Sequence, residues 1–208
     1  GEVDRVLAEF LRGQLAVMLL MSAFYVVVLA LVGLEFALPI GIVAGIGIGV
    51  SSTLVRMSRG ESGAQQLEAF LRRHREMAVA RRRDIEIRFI APNQVQSAVR
   101  AVPDPPAPTP APTVLETITF EGGIGYRLYP GVPDTPNAFG NGLEVTLGGP
   151  EPVMFSSEGA FIDANSNPIN ATIQLGVEGD TLTASAVTVL GATATIERFR
   201  WDGVKWTR

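Results

Sequence analysis

Two adjacent stretches near the N-terminus carry no charged side chain, and they constrain this chain more than any other feature. The first is Gly13–Leu34 and the second is Phe36–Val55, with only Glu35 between them. About 20 apolar residues suffice for a helix to cross the hydrocarbon core of a bilayer. The sequence therefore predicts a membrane segment over residues 1–55, built from two apolar helices or from one long bent helix.

The second uncharged stretch leads directly into a basic segment whose apolar residues recur three or four positions apart. Such spacing places them on one face of a helix, with polar side chains on the other faces. Between Leu54 and Arg100 there are ten Lys or Arg residues against five Asp or Glu, whereas the rest of the chain towards the C-terminus has five against twelve. The apolar stripe comprises Ala64, Leu67, Phe70, Leu71, Met77 and Ala78. The segment is therefore predicted to be a long amphipathic helix.

Beyond this helix the sequence changes to the two-residue alternation that is typical of β-strands. Residues 85–89 alternate apolar and charged side chains, and a turn separates them from a second strand predicted over Val95–Val102. Further strands are predicted at Glu116–Glu121, Tyr126–Tyr129, Leu143–Leu147, Val153–Phe155, Thr172–Gly176, Thr181–Val189 and Ala194–Trp201. The last two flank Gly191, and we expect them to pair as a hairpin.

The segment Pro103–Pro112 contains six prolines and predicts an extended surface stretch. We interpret it as a loop inside one domain, because the helix and the first hairpin cannot form a core without the strands that follow; an interdomain linker is the alternative. The predicted fold class is α+β, with N-terminal apolar transmembrane helices continuing into a long amphipathic helix packed on antiparallel β-sheet. The predicted domains are a membrane segment over 1–55 and a globular domain over 56–208.

The N-terminal part contains three short runs that together form one pattern: LRGQ at 11–14, VGLEFAL at 32–38, and Gly41 followed by Ala44-Gly45. With the apolar helix between the first two, they resemble part of the autoinducer-2 exporter (AI-2E) family of membrane permeases, over about residues 4–46. The resemblance covers one hairpin of a family whose members are several times longer. It implies a permease-type transport fragment, which we keep as an alternative function.

A second series of motifs begins at about residue 47. REMAVARRR at 75–83 ends the amphipathic helix, and FSSEG at 155–159, NATI at 170–173 and a closing hairpin over 186–201 follow in order. Together they resemble a type IV pilin-like protein, a pseudopilin of the GspH/FimT type. The resemblance implies a pilin-like domain over 56–208 and partners that are other pilin-like subunits in a homo- or hetero-oligomeric filament. It also implies a place in the bacterial inner membrane, with the globular domain in the periplasm or in an extracellular filament.

The sequence contains no catalytic constellation, so we expect no enzymatic activity, no cofactor and no metal site. Without cysteine, Cys nucleophiles and thiolate metal sites are excluded. The single histidine, His74, is predicted to be a solvated helix residue, because a metal site needs several convergent ligands. The run DANSN at 163–167 has the oxygen spacing of a calcium loop, but Pro168 and Gln174 replace the glycine and glutamate that such a loop requires. A polar turn is predicted there instead.

Two groups of basic residues are candidates for contact with a partner. Near the C-terminus, Arg198, Arg200, Lys205 and Trp206 combine basic and aromatic side chains, which suits nucleic-acid or protein contact. Some FimT-like pilins take up DNA through a Gly-Arg-x-Arg motif, and Glu197 stands here in the place of that glycine. On the helix, a solvated face is favoured over contact with anionic lipid or nucleic acid for Arg72, Arg73, Arg75, Arg81, Arg82 and Arg83.

These observations favour a membrane-anchored, pilin-like minor subunit of a type II secretion or type IV pilus-type filament. Such a subunit acts through protein–protein assembly, and its apolar segment contacts membrane lipid. A permease-type transport fragment and a DNA-binding pilin for DNA uptake are the alternatives, and nucleic acid is the less favoured partner.

Overall fold

The computed structural model describes residues 16–24, 26–28, 60–100 and 111–208. The chain divides into two compact units, 1–56 and 57–208. In the first unit, the described residues are helical. No helix in the described part of the chain is long and apolar enough to cross a membrane. Residues 16–24 and 26–28 belong to the first predicted transmembrane helix. The rest of that helix, the second predicted one and most of the proline-rich segment fall outside the described residues, so those interpretations stay predictions.

In the second unit, which we call the head, residues 60–81 form a helix, the head helix. Its buried side chains follow the predicted apolar stripe, with Met77 only partly buried and one polar residue, His74, added to it. At its end, Arg83 N donates to Ala78 O and Arg82 N donates to Val79 O, both at 3.2 Å. These two bonds form a Schellman motif, with Arg82 in the left-handed region at φ 50°.

Two antiparallel sheets follow the head helix. Sheet A contains β1 (Ile85–Ile90), β2 (Gln94–Val99), β3 (Thr113–Thr119), β6 (Val153–Phe155) and β7 (Phe161–Ile162). Sheet B contains β4 (Ile124–Tyr126), β5 (Val145–Leu147), β8 (Ala171–Val177), β9 (Asp180–Leu190), β10 (Thr195–Trp201) and β11 (Trp206–Thr207). The strand order is β3-β2-β1-β6-β7 in sheet A and β11-β10-β9-β8-β4 in sheet B, where β5 also pairs with β8.

The head helix and the two sheets enclose one hydrophobic core. At the start of the helix, Ser185 Oγ on β9 donates to Gly60 O at 2.9 Å. About four turns further on, His74 is hydrogen-bonded to Ser97 on β2 at 2.7 Å. The helix therefore contacts both sheets, and the predicted mixture of helix and antiparallel sheet is confirmed.

A long connection between β4 and β5 covers the outer face of sheet B, the face turned away from the head helix. Tyr129 and Val132 on this connection pack with Ala184, Trp201 and Trp206 in a second, smaller apolar cluster. Tyr129 Oη donates to Val177 O at 2.6 Å, which anchors the connection to the end of β8. Both faces of sheet B are therefore covered, one by the head helix and one by this connection.

Most predicted strands are confirmed, with shifted ends. The hairpins β1–β2 and β9–β10 pair as expected. The strand predicted at Tyr126–Tyr129 is wrong in its bounds, because β4 ends at Tyr126 and the chain beyond it leaves the strand to pack Tyr129 on sheet B. The two-residue strands β7 and β11 were not predicted, since two residues are too few to show an alternation.

Candidate functional site

The two arginines predicted to contact a partner, Arg198 and Arg200, lie on the same face of β10 and point towards the head helix. Arg198 lies 3.8 Å from Glu61 and 3.7 Å from Glu68, measured between guanidinium nitrogen and carboxylate oxygen. Arg200 lies 3.5 Å from Glu61 in the same way. Such partly exposed ion pairs add little to stability. Their main effect is on charge. Because Arg72 also pairs with Glu68, at 2.8 Å, three guanidinium groups share two carboxylates here, and the acids offset most of the positive charge.

Trp206 lies on the opposite face of sheet B. It is the direct register partner of Trp201, and the two ring centroids are 5.5 Å apart. Its indole Nε1 donates to Pro133 O at 2.8 Å, which ties β11 to the long connection. Trp206 therefore completes the smaller apolar cluster and does not share a surface with Arg198 and Arg200.

Lys205 lies in the tight turn between β10 and β11 and is exposed. The turn is fixed by Asp202, whose Oδ1 accepts backbone hydrogen bonds from Lys205 and Val204 at 2.8 Å each. These bonds hold the pKa of Asp202 below its ordinary value. The four predicted site residues thus occupy two faces of sheet B and one turn, so they do not form a single patch, and their contact with a partner stays a prediction.

The helix arginines divide into two groups. Arg72 donates to Ile196 O at 2.9 Å, Arg73 pairs with Glu116 at 2.6 Å, and Arg75 donates to Gly159 O at 3.1 Å. These three are at least partly exposed, as expected for a solvated face, but they also tie the head helix to the strands and to the turn before β7. The consecutive residues 81–83 are exposed, and no ion pair or side-chain hydrogen bond to them occurs within the described residues.

His74 is completely buried, so the prediction of a solvated helix residue is wrong. It lies three to four residues from Phe70, Leu71 and Ala78, which places it inside the apolar stripe. Its Nδ1 donates to Phe70 O at 2.8 Å, and its Nε2 accepts from Ser97 Oγ at 2.7 Å. Burial lowers the pKa of His74, opposed by the Phe70 hydrogen bond and the Glu116 carboxylate. The side chain is therefore neutral at pH 7, with both ring nitrogens satisfied.

The Ser97–His74 pair has the distance of a nucleophile and its general base. Both side chains have no exposed surface, however, so no substrate can reach Ser97 Oγ. Within the described residues, no group of three or more His, Cys, Asp or Glu side chains is placed to hold a metal ion. The polar turn predicted at 163–167 is confirmed, since Asp163 Oδ1 accepts from the backbone of Asn165 at 2.8 Å and of Asn167 at 2.9 Å.

A groove at one end of sheet A was not predicted. It is lined by Glu86–Ile90 on β1 together with Pro112, Glu151 and Pro152. The groove exists because β1 continues beyond its short neighbour β6, and a difference in strand length is set by tertiary pairing. The sequence contained one signal of this groove: Pro152 stands directly before a predicted three-residue strand. Proline cannot donate a hydrogen bond to a strand ladder, so the strand cannot extend past it.

Comparison with known proteins finds similar folds at low sequence identity. The minor pseudopilin EpsH from the type 2 secretion system of Vibrio cholerae is 12% identical, with a TM-score of 0.41, over 68% of this chain and 97% of that chain. The type IV minor pilin FimU from Pseudomonas aeruginosa is 16% identical, with a TM-score of 0.43, over 71% of this chain and 92% of that chain. No family model and no curated protein sequence matches the chain.

Proposed function

We propose that this chain is a membrane-anchored, pilin-like minor subunit, a pseudopilin of the GspH/FimT type, in a type II secretion or type IV pilus-type filament. The observation that carries the proposal is the order of its parts. The uncharged stretch Phe36–Val55 comes just before the head helix, and this helix packs its apolar stripe against the two sheets, with only Met77 partly exposed. The head is thus a packed body attached to an apolar segment, as a filament subunit requires.

The motifs that resemble pseudopilins lie at structural positions that support this proposal. The run 75–83 forms the last turns of the head helix and its Schellman end, and β1 begins two residues later. The run 155–159 joins β6 to the turn before β7, and the closing hairpin is β9–β10. Each motif therefore begins, ends or joins an element of one compact body.

In this proposal the apolar segment lies in the bacterial inner membrane before assembly and in the filament core afterwards. The long amphipathic helix continues from that segment, and the head is displayed in the periplasm or on an extracellular filament. Other pilin-like subunits are the partners, bound through protein–protein contacts. An uncharged helix is stable in either place because neighbouring helices or lipid chains satisfy its apolar surface.

Membrane fractionation of the full chain tests the anchor. We expect the protein in the membrane fraction, released by detergent and not by high salt or alkali, with the head open to protease from the periplasmic side. The matched control carries Leu20→Asp and Val27→Asp in the first uncharged stretch together with Val43→Asp and Ile46→Asp in the second, and these four charges should move the protein to the soluble fraction. A wild-type chain that is soluble and monomeric without detergent would overturn the proposal.

Assembly is tested separately by cross-linking in membranes. Single cysteines introduced into the uncharged stretches of neighbouring subunits should form disulfides when a mild external oxidant is added, because the helices of a filament core pack against each other. Single cysteines on the exposed turn at Gly179 serve as the control and should remain monomeric. Cross-links that are equally frequent at both places would show random collision in place of assembly.

A further inference from the structure

Strand β1 is longer than the strand that pairs with it on one side. All six residues of β1 pair with β2, from Ile85 with Val99 to Ile90 with Gln94. On the other side only Ile85–Ile87 pair, with the three residues of β6. Within the described residues, the backbone of Arg88–Ile90 therefore has a strand on one side and none on the other.

The chain itself cannot extend the pairing on that open side. The next register partner of Arg88 would be Pro152, which has no backbone N–H to donate and stands directly before β6. The chain turns away there, and Glu151, Pro152 and Pro112 form the far wall of the groove whose near wall is Glu86–Ile90. The open edge of β1 thus faces a cleft that another strand can enter.

The groove has a definite chemistry. Glu86, Arg88 and Ile90 alternate onto the outer face of sheet A, where the Glu86 carboxylate is only 4% exposed and pairs with Arg88. Glu151 is exposed, and no ion pair to it occurs within the described residues. Among the lining residues, two carboxylates stand against one guanidinium, so the groove wall is acidic at Glu151, and Ile90, which is 38% exposed, adds an apolar contact at its open end.

We propose that this groove binds an extended, basic peptide segment of a partner protein, which adds a strand to β1 at Arg88–Ile90. Main-chain hydrogen bonds to the open edge provide the affinity, and a Lys or Arg beside Glu151 provides the selectivity, as in other cases of strand addition. The chain's own segment Pro103–Pro112 is a poor occupant, because six of its ten residues are prolines without an N–H. The proposal goes beyond filament assembly and needs only the folded head.

The test uses the full chain in a neutral detergent and a fluorescent hexapeptide that alternates valine and lysine, with blocked ends. Binding is measured by fluorescence anisotropy, and the amide signals of Arg88–Ile90 are followed by NMR. We expect saturable binding with shifts centred on these amides. A peptide N-methylated at its central residues should bind about tenfold more weakly or worse, because it cannot donate to the strand edge.

Charge selectivity is tested with a peptide in which glutamate replaces each lysine. This peptide should bind more weakly than the lysine peptide, and the ratio of the two affinities should be larger at low salt than at high salt. In the protein, Glu151→Gln should weaken binding of the lysine peptide about two- to fivefold. The matched control is Glu158→Gln, an exposed carboxylate in the turn before β7, which should leave binding unchanged.

Three outcomes would overturn the proposal. Equal binding of the N-methylated peptide would show a charge contact without strand pairing. Amide shifts centred on β3 or β11 would place the peptide at another sheet edge. Binding that appears only after residues 103–112 are replaced by glycine and serine would show that the chain's own segment fills the groove. None of these results depends on membrane fractionation or cross-linking. The peptide-binding proposal and the filament-subunit proposal are therefore tested independently.

Discussion

Ser97 Oγ lies 2.7 Å from Nε2 of His74, and neither side chain has any exposed surface. The pair joins the head helix to the centre of β2 through one buried hydrogen bond. Because Nδ1 of the histidine already donates to Phe70 O, Nε2 carries no proton and must accept from the serine hydroxyl. The only histidine of the chain is therefore a neutral polar link between the two layers, which makes it sensitive to both mutation and pH.

Replacing Ser97 by alanine should destabilise the head. The change removes the donor and leaves Nε2 buried and unpaired, which costs about 1–3 kcal/mol in the free energy of unfolding. Chemical denaturation of the purified protein measures this. Thr119→Ala, at the exposed end of β3, is the control and should change the free energy by less than about 0.5 kcal/mol. Equal effects of both substitutions would mean that the buried bond contributes nothing.

Stability should fall as the pH drops below about 6.5, the ordinary pKa of histidine. Burial lowers the pKa of His74 in the folded head, so the unfolded chain binds a proton at a higher pH than the folded one does. The stabilisation is complete above 6.5 and is lost as the pH falls towards the lowered pKa. Of its charged neighbours, Glu116 works against this shift and Arg73 adds to it.

Thermal unfolding at pH 7.5 and at pH 5.5 measures this dependence. The control is His74→Gln, whose amide can accept from Ser97 but does not titrate in this range. The variant should be less stable than the wild type at pH 7.5 and should lose less stability than the wild type between the two pH values. Parallel losses in the two proteins would assign the pH dependence to carboxylates elsewhere.

The spacing of His74 in the sequence indicated that it is buried, but the charged residues beside it suggested that it is exposed. Its spacing from Phe70, Leu71 and Ala78 is that of the apolar stripe, yet the flanking residues Arg73 and Arg75 suggested a solvated run. Helical geometry places those arginines on either side of the stripe, where they reach Glu116 and Gly159 O. Spacing was therefore the better guide to burial than the chemistry of adjacent residues.

The positions of single strands were predictable from the sequence, but their order in the sheets was not. Strand β1 and the β9–β10 hairpin were predicted because alternation and turn residues are local signals. The order of strands in the two sheets, and the separation of Arg200 from Trp206 onto opposite faces, depend on which strands pair. Strand pairing is set by tertiary contacts, which a single sequence does not reveal. For the same reason the acidic partners of Arg198, which lie on the head helix about 130 residues away, could not be foreseen.

Gly60→Ala should destabilise the head even though alanine favours helix. A Cβ at this position would lie 1.9 Å from the backbone oxygen of Thr183, and a strand backbone cannot move aside cheaply. We expect a net loss of about 1–3 kcal/mol, as for other overpacked sites. Gly63→Ala is the matched control in the same helix, because its Cβ would meet only the Ile124 side chain, at 2.8 Å, which can rotate. Denaturation curves should give Gly60→Ala a clearly lower free energy of unfolding than Gly63→Ala. The reverse order would contradict the close approach of the head helix and β9.

The acids on the head helix should control any binding of nucleic acid by β10. Glu61 and Glu68 pair with Arg198 and Arg200 and offset most of their charge, so we expect no gel shift of short DNA with the wild-type protein at physiological salt. The double variant Glu61→Gln with Glu68→Gln frees both arginines and should bind DNA at low salt, with an affinity that falls steeply as salt is added. Adding Arg198→Gln and Arg200→Gln to that variant should abolish the shift, which assigns it to these two side chains. A wild-type shift that persists at physiological salt and disappears with Arg198→Gln and Arg200→Gln alone would instead favour a DNA-binding pilin, because the arginines would then bind phosphate in spite of their carboxylate partners.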